Sequence, residues 1–594
     1  MITRDLSSSQ KIRRRSLILA GIKSIFSIVV CGKLYYLQIL NKSKYGKLSD
    51  LNRTKVKILY PERGVIFDKF DKPIAKNRLD FQLNIFREKS NLINRYISKL
   101  KNIIFFSQRD YQELKKNILR KDLSDFIIIK KNLSWEELEI FELVSNKFPF
   151  LFITKEKVRS YENNFIYSHV LGYVGYKNDL KDQKLNNLKF GISGLEKTFD
   201  KKLLGKDGWI KLETNSKGRI KKELKKKFAI PGENIKTNLI ASIQGMAYDL
   251  LSGIRGAVVV LDCQSGGVNC MVSTPSFDND EFSKGITNEK WNQLLIDKSN
   301  PLLNRCISGL YSPGSTYKLL TALFVVEKMG FNYSTKFYCP GFVDVGNRKF
   351  HCWKKEGHGS LNLIDAVKKS CDCYFYNLAK EINIDELSKF SKKFSMGAIT
   401  GIDNPDENYG LMPNSEWKKK NRGEKWQKGE TLNTVIGQGF TLSTPLQITL
   451  MTARIASGKK LEPRIMHRNR YFFEDLDISE KNLNFIRKSM FKVVNEYEGT
   501  AYLSKLENGL KMAGKTGTSQ VRKITKKERE SESGVVKNEE IEYKLRDHSL
   551  FTGYAPFDNP KFAITVVAEH MGSGSKVAAP IAKKIIDFVL KKYS

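Results

Sequence analysis

The stretch Gly256-Ala257-Val258-Val259-Val260-Leu261-Asp262 decides the fold. Its β-branched run reads as a buried strand, and Cys263-Gln264-Ser265-Gly266-Gly267 reads as a hairpin turn into a second strand, Val268 to Ser273. Far along the chain, strand patterns return at Leu550–Ala555 and Phe562–Glu569, and an amphipathic helix follows at Ala578–Lys592. Helical periodicity fills the interval, from about Tyr317 to Lys328 and from Leu363 to Ile382. Strands at both ends with helices between them predict one domain of mixed α and β structure over residues 239–594, its two ends meeting in a common sheet. The almost wholly polar stretch Val521 to Arg546, set between two strands, reads as a solvated loop.

Upstream the pattern changes. Leu17 to Leu40 is largely apolar and long enough to cross a bilayer, which takes about 20 such residues. Arg4, Lys11, Arg13, Arg14 and Arg15 precede it with only Asp5 opposing, so positive-inside bias keeps the N-terminus cytoplasmic and exports everything after the span. Lys23 and Lys33 are blemishes, each costing about 2.5–3.5 kcal/mol at a span's centre, although Lys23 can snorkel to the inner edge. No small-x-small cleavage site follows the run, and valine before Cys31 makes a poor lipoprotein signal. The expected organisation is a cytoplasmic tail at 1–16, an anchor at 17–40, a pedestal at 41–238 and the sheet domain at 239–594. Within the pedestal, residues 41–60 read as a polar linker or short helix, Pro61 to Asp68 as a strand entering a hairpin, and Asn91 to Asn146 as helical. The glycines of His169–Gly175 and Gly191–Glu196 read as turn residues and not as a site.

A chain of 594 residues predicts three or four folding units. At 41% hydrophobic and 28% charged, with 35 Phe and 24 Tyr, it is too apolar to be disordered. Lys+Arg 102 against Asp+Glu 64 leaves a net charge of +38. Such an excess suits nucleic acid, yet the lysines are spread along the chain and no zinc-finger, RRM or helix-turn-helix pattern occurs, so an anionic membrane surface or polymer is the expected partner.

Three short motifs carry chemistry. In the first, Ser315-Thr316-Tyr317-Lys318 follows Ser312-Pro313-Gly314; the turn lets Ser315 open a helix and aims Lys318 at the serine oxygen. A serine hydroxyl is a weak nucleophile until a base takes its proton, and a lysine desolvated among apolar neighbours can be that base. Alone the motif says little, because Ser-x-x-Lys recurs at Ser8/Lys11, Ser98/Lys101, Ser415/Lys418, Ser457/Lys460 and Ser489/Lys492. The second, Ser370-Cys371-Asp372, lies in a helical pattern continuing as Tyr374-Phe375-Tyr376. Ser370 can pass a proton to a leaving amine, and Asp372 either accepts from a substrate amide or positions Lys318; a plain helix cap is the bland alternative. The third, Lys515-Thr516-Gly517-Thr518, reads as a strand. Gly517 leaves room for a ligand backbone, Lys515 and the threonine hydroxyls can bind a carboxylate, and the N–H groups of Ser315 and Thr518 can form an oxyanion hole, one such donor being worth about 10²–10³ in rate.

In this order and on one domain, the motifs resemble those of the penicillin-binding proteins and serine β-lactamases. Arg63-Gly64-x-Ile66-x-Asp68, Gly194-Leu195-Glu196, Asn300-Pro301-Leu302-Leu303-Asn304-Arg305, Gly437-Gln438-Gly439 and Thr444-Pro445-Leu446-Gln447 resemble patterns of class B members. The likeness is strongest to the elongation-specific penicillin-binding protein 2 group, covers nearly the whole chain after residue 10, and includes Asp372 where most relatives carry Asn. It implies an antiparallel sheet flanked by helices, serine β-lactamase-like, carried on an elongated pedestal and a transmembrane helix. It also implies a D,D-transpeptidase that cross-links peptidoglycan stem peptides in the periplasm during lateral wall elongation, maintains cell shape, is acylated by β-lactams and uses no cofactor for catalysis. A SEDS-family glycan polymerase and other elongation-complex membrane proteins are its implied partners. Composition and spacing alone reach only an exported serine acyltransferase.

The cysteines add a separate expectation. Of eight, at positions 31, 263, 270, 306, 339, 352, 371 and 373, three gather with a histidine around the middle motif: Cys339, Cys352, His358 and Cys371 make a Cys₃His set, closed and tetrahedral for structural zinc. The resemblance implies a metal at matching positions, where some members of the group carry carboxylates in place of two cysteines. A Cys339–Cys352 disulfide or free thiols are the alternatives, and Cys373 and His351 lie near enough in sequence to compete. His548 and His570 flank apolar strands and read as structural, His548 at the border of the groove.

The expected mechanism has Lys318 deprotonate Ser315, which attacks the penultimate D-Ala carbonyl of a donor peptide. Ser370 and Lys318 then protonate the departing D-Ala, whose carboxylate is held by Lys515, Thr516 and Thr518, and a second strand's amine resolves the acyl-enzyme. Two other readings stand beside it: a carboxypeptidase or β-lactamase-type hydrolase using the same motifs, and a non-catalytic scaffold that activates a membrane polymerase.

Overall fold

The computed structural model describes residues 3–119, 126–176, 188–214, 220–346, 348–507, 509–522, 524–525, 528 and 536–593. The chain divides into two compact units, residues 1–62 with 205–232, and residues 63–204 with 233–594.

In the first unit α1 (Thr3–Tyr35) ends in a π-helical turn, Tyr36–Leu40, and after Asn41 α2 (Lys42–Arg53) begins. Nothing in the apolar stretch Ile12–Leu40 is buried by protein, which suits a helix whose side chains meet lipid. β1 (Thr54–Leu59), β2 (Gly208–Thr214) and β3 (Ile220–Lys227) follow as an antiparallel sheet in the order β1-β2-β3. Of the linker or short helix expected at 41–60, the helix forms at Lys42–Arg53, and a strand follows it. Residues 54–59 can pair because a partner strand distant in sequence supplies the hydrogen bonds.

The second unit opens with a sheet in which Pro73–Phe86 pairs with Leu151–Tyr161, from Ala75 opposite Tyr161 to Ile85 opposite Leu151. Helices form at Ile93–Leu100, Gln108–Leu119 and Trp135–Val144 as periodicity predicts. Phe126–Lys130 within the same stretch is a strand instead, because its isoleucine run suits a pleated, buried face. Ile127 and Ile129 join Leu83, Ile85, Leu100, Phe141 and Phe148 in a small core of their own.

A buried ionic knot holds this region. Glu196 accepts from Arg63 Nε and from Arg159 Nε, each at 2.6 Å, while Arg63 reaches Asp200 at 2.8 Å. A Cβ on Gly191 would lie 1.9 Å from Glu196 O, and one on Gly64 1.9 Å from Glu233 O, so the glycines flanking these charges permit close backbone packing. Burial pushes the Glu196 carboxyl up, and Arg159 and Arg63 more than reverse it, leaving it below the ordinary glutamate value. A depressed folded value means stability present above the unfolded value of about 4.3 and lost as pH falls through the folded one. Glu196→Gln should cost about 3–5 kcal/mol, read as a lower urea midpoint at neutral pH, and the gap to wild type should narrow below pH of about 4. An unchanged midpoint would mean the knot contributes nothing net.

The larger sheet comprises β4 (Gly256–Asp262), β5 (Val268–Thr274), β6 (Ala513–Ser519), β7 (His548–Ala555) and β8 (Phe562–Ala568), in the order β5-β4-β8-β7-β6 with every pair antiparallel. The two chain ends do meet in it: Val259 lies opposite Thr565, which lies opposite Thr552, which lies opposite Lys515. The helices that matter for the site are α3 (Lys318–Lys328), α4 (Asp372–Ala379), α5 (Pro445–Ser457) and α6 (Ala578–Tyr593). Thr444-Pro445-Leu446-Gln447 is a capping box with proline in the first turn, and it starts a helix buried along nearly its whole length. On one face of the sheet Thr452 of α5 meets Thr552 at 2.7 Å; on the other, Ser549 accepts from the Ala578 N–H of α6 at 3.0 Å. Lys515 shares the α5 face, because antiparallel partners point the same way.

Candidate active site

Ser315 occupies a single 3₁₀ turn, Gly314–Thr316, directly before α3. Gly314 adopts φ +53° and donates to Gly437 O at 2.9 Å. A Cβ there would lie 2.5 Å from Thr518 O, and one on Gly437 would lie 2.2 Å from Gly314 O. The serine's turn is thus pressed onto the backbone of β6 at Thr518, an edge strand. Gln438 braces the contact from the same Gly-Gln-Gly segment, its Nε2 donating to Thr518 O at 2.9 Å. Ser315 and Thr518 remain partly exposed where most of their neighbours are buried, so both can be reached from solvent.

Lys318, one turn on and fully buried, donates to Asp372 Oδ1 at 2.7 Å, to Ser370 O at 2.8 Å and to Ser370 Oγ at 3.3 Å. Lys515, equally buried, reaches Ser370 Oγ at 2.9 Å and Thr516 O at 3.1 Å. The Ser370 hydroxyl therefore stands between two lysine nitrogens. Burial and the nearby Lys318 drive the Lys515 ammonium well below the ordinary lysine value, against the pull of Asp372. Burial raises the Asp372 carboxyl despite Lys318 beside it. Both Asp372 oxygens are engaged, the second by the Trp353 N–H at 2.9 Å. Of the two roles open to Asp372 from sequence, this favours holding Lys318 over reaching for substrate.

The helix expected over 363–382 breaks at Ser370, which has φ +55°, between Leu363–Lys368 and α4. That left-handed residue turns its carbonyl to Lys318 instead of continuing the helical ladder, a local strain placed at the chemistry. Thr516 Oγ1 lies 2.7 Å from Thr500 Oγ1, and a Cβ on Gly517 would come within 3.0 Å of Pro313 O, so this glycine seats β6 against the serine's turn. Thr500 and Trp353 are supporting residues that sequence reading missed, and Gln438, singled out there only as part of a pattern, had no role assigned, since their partners lie on other segments. Arg305 of the Asn-Pro-Leu-Leu-Asn-Arg pattern is fully buried; it and Tyr311 both donate to Glu569 Oε1, at 2.9 and 2.7 Å, anchoring the approach to Ser315. His548 accepts from the His570 N–H at 2.9 Å, and burial with His570 beside it pushes its imidazole down to about 4. It is neutral at physiological pH.

Cys339, Cys352, His358 and Cys371 do come together, their ligand atoms all within 4.8 Å of one another. His358 Nδ1 faces Cys352 Sγ at 3.5 Å and Cys339 Sγ at 3.7 Å, while His358 Nε2 is buried without a partner. Those nitrogen–sulfur separations are close to the roughly 3.6 Å that a tetrahedral zinc with about 2.3 Å sulfur and 2.0–2.1 Å nitrogen bonds would set, so the donor set fits that ion in number and kind. All eight cysteines are free. The cluster sits directly behind the middle motif, for the Asp372 N–H donates to Cys352 Sγ at 3.3 Å.

A serine-bearing turn braced on an edge strand, with two buried lysines meeting at a second serine, is the arrangement that the class of penicillin-recognising serine acyltransferases requires. Two family models match: the penicillin-binding protein transpeptidase domain over residues 256–587 and the penicillin-binding protein dimerisation domain over residues 58–237. The chain is 33% identical to peptidoglycan D,D-transpeptidase MrdA of Haemophilus influenzae, over 95% of this chain and 89% of that protein. Its fold is similar to penicillin-binding protein 2 in a complex with MreC from Helicobacter pylori, at TM-score 0.79 and 32% identity, covering 91% of this chain and 99% of that one. It also matches a chain from a structure titled for the coordination of polymerization and crosslinking by a peptidoglycan synthase complex, at TM-score 0.72 and 25% identity, over 98% and 99% of the two chains. The chain belongs to the penicillin-binding protein 2 family.

Proposed function

We propose that this protein cross-links peptidoglycan as a D,D-transpeptidase of wall elongation, with Ser315 as nucleophile. The observation that carries the reading is the convergence of Lys318, Ser370 and Lys515 behind the Ser315 turn. Lys318 takes the Ser315 proton. Asp372, made more basic by burial and 2.7 Å away, gives that charge a place to reside. The N–H groups of Ser315 and Thr518 hold the oxyanion, and Lys515, Thr516 and Thr518 hold the terminal carboxylate of the donor peptide. Ser370 relays a proton to the departing D-Ala, and the same pair later deprotonates the incoming amine. A β-lactam follows the first step and stays attached, because its leaving group is tethered. The Cys₃His cluster would hold a structural zinc. With no open ligand position, the ion would supply no chemistry beyond tying residues 337–361 to α4.

Membrane anchorage through α1 with the enzyme domain outside the cytoplasm is supported by the basic residues before the span. A SEDS-type glycan polymerase and MreC-like elongation proteins are the proposed partners, supported by the complexes in which similar chains occur. The test is mass spectrometry of products after incubation with uncross-linked glycan strands. Amine-linked dimers are expected; trimmed stems without dimers would replace this reading with a carboxypeptidase.

A pH dependence follows from the buried Lys515. As pH rises through its depressed value it loses its charge, and carboxylate binding weakens earlier than an ordinary lysine would cause. The second-order rate of penicillin acylation should therefore fall on an alkaline limb well below pH of about 10.4, and Lys515→Arg should move that limb upward. A limb unmoved by the substitution would assign it to another group.

A further inference from the structure

Among the described residues nothing forms a buried layer over the sheet β1-β2-β3. Among its described residues only Gly208 and Thr214 are buried, and every residue from Lys221 to Lys227 is exposed. A three-stranded sheet ordinarily needs one apolar face packed on something to hold together. Here none of the described apolar side chains is fully buried: Val56 is 62% exposed and Phe228, just beyond β3, is 73% exposed, while Ile58, Leu59, Ile210 and Leu212 are half-buried. Trp209 and Leu224 lie partly open between lysines.

The charge of this segment is equally one-sided. Residues 205–232 hold nine Lys or Arg against three Asp or Glu, a net +6 in a small part of a chain whose total is +38. Compositional bias spreads lysine evenly, whereas this density is several times the chain's mean. Register sets the charges in ranks: Lys227 opposite Trp209, which is opposite Ile58, and Lys225 opposite Lys211, which is opposite Val56. Lysines and apolar groups thus share a face, and Lys226 places its ammonium 4.7 Å from the Phe228 ring centre. That mixture of cations with aromatic and aliphatic tips suits a layer offering phosphates above and hydrocarbon below.

Position supplies the rest. The sheet belongs to the same compact unit as the apolar helix. The Thr214 end of β2 adjoins the end of α2, with Thr214 Oγ1 donating to Arg53 O at 3.3 Å and Thr54 opposite Glu213. Only α2, about 18 Å long, separates that end from the span, and it carries Lys42, Lys44 and Lys47.

We propose that β1-β2-β3 docks on anionic phospholipid headgroups, making the sheet a second, electrostatic foot beside the anchor. This rests on the membrane reading of α1 and is independent of the enzyme assignment. The full chain is placed in nanodiscs of phosphatidylcholine alone or with about 30 mol% phosphatidylglycerol, and amide hydrogen exchange is followed in peptides from 206–230. Exchange at least about fivefold slower with phosphatidylglycerol is expected. About 0.5 M NaCl should reverse the difference. Substitution of Lys221, Lys222, Lys225, Lys226 and Lys227 by Gln should remove it without changing penicillin labelling. Equal exchange in both lipids overturns the proposal, and so does protection that appears only when another membrane protein is added, which would make the sheet a protein-binding face. Retention in the nanodisc at high salt, scored separately, distinguishes a failed anchor from a failed foot.

Discussion

Ser315→Ala removes covalent labelling by a fluorescent penicillin and lowers cross-linking by at least about 10⁴-fold, with an unfolding midpoint within about 2 °C of wild type. The fold should be indifferent because Ser315 is half-buried in a turn fixed by its neighbours: the Gly314 φ, the Gly437 carbonyl and the close approach to Thr518 do not involve its side chain. The chemistry should not survive, because the neighbouring hydroxyls are otherwise engaged: Thr316 of the same turn is buried and donates to Pro313 O at 2.7 Å. The Ser370 oxygen is enclosed between Lys318 and Lys515. Label retained on the alanine variant would move the nucleophile elsewhere and end the assignment.

Stripping metal from the Cys₃His cluster should lower the unfolding midpoint by about 10 °C or more, as the loss of several kcal/mol would in a domain of this size. Native mass spectrometry should find one zinc per chain, and Cys371→Ser should abolish it. The effect reaches the active site by a short route. The loop holding Cys352 presents the Trp353 N–H to Asp372, and Asp372 holds Lys318. With the loop released, penicillin acylation should slow in parallel with the loss of stability. A chain that carries no zinc and is indifferent to chelation, with all four side chains of the set unliganded, would reduce the cluster to packed thiols.

The residues of the three motifs and of the Cys₃His cluster could be picked out in the sequence because each set is a spacing rule with local geometry behind it. One helical turn places Lys318 beside Ser315, and a strand sets Lys515 and Gly517 on one side with Thr516 and Thr518 on the other. The common sheet of the chain ends was legible from β-branched runs. Arg159 was not, because only burial beside Glu196 gives it a role, and nothing near it in sequence marks that partner. Nor was the break at Ser370: its apolar surroundings keep helical periodicity through a residue whose backbone the fold turns left-handed. The sheet at β1 was missed because the strand that β1 pairs with lies beyond residue 205.

The sequence by itself determined the apolar N-terminal helix, the order of chemical groups and the candidate metal ligands, since these depend on residue type and short separations. Only the tertiary structure decided that Asp372 contacts Lys318, that Ser370 lies between two lysines and that an exposed cationic sheet belongs to the same compact unit as the apolar helix. Those facts are contacts between segments far apart in the chain, fixed by packing and burial, which a linear pattern does not encode.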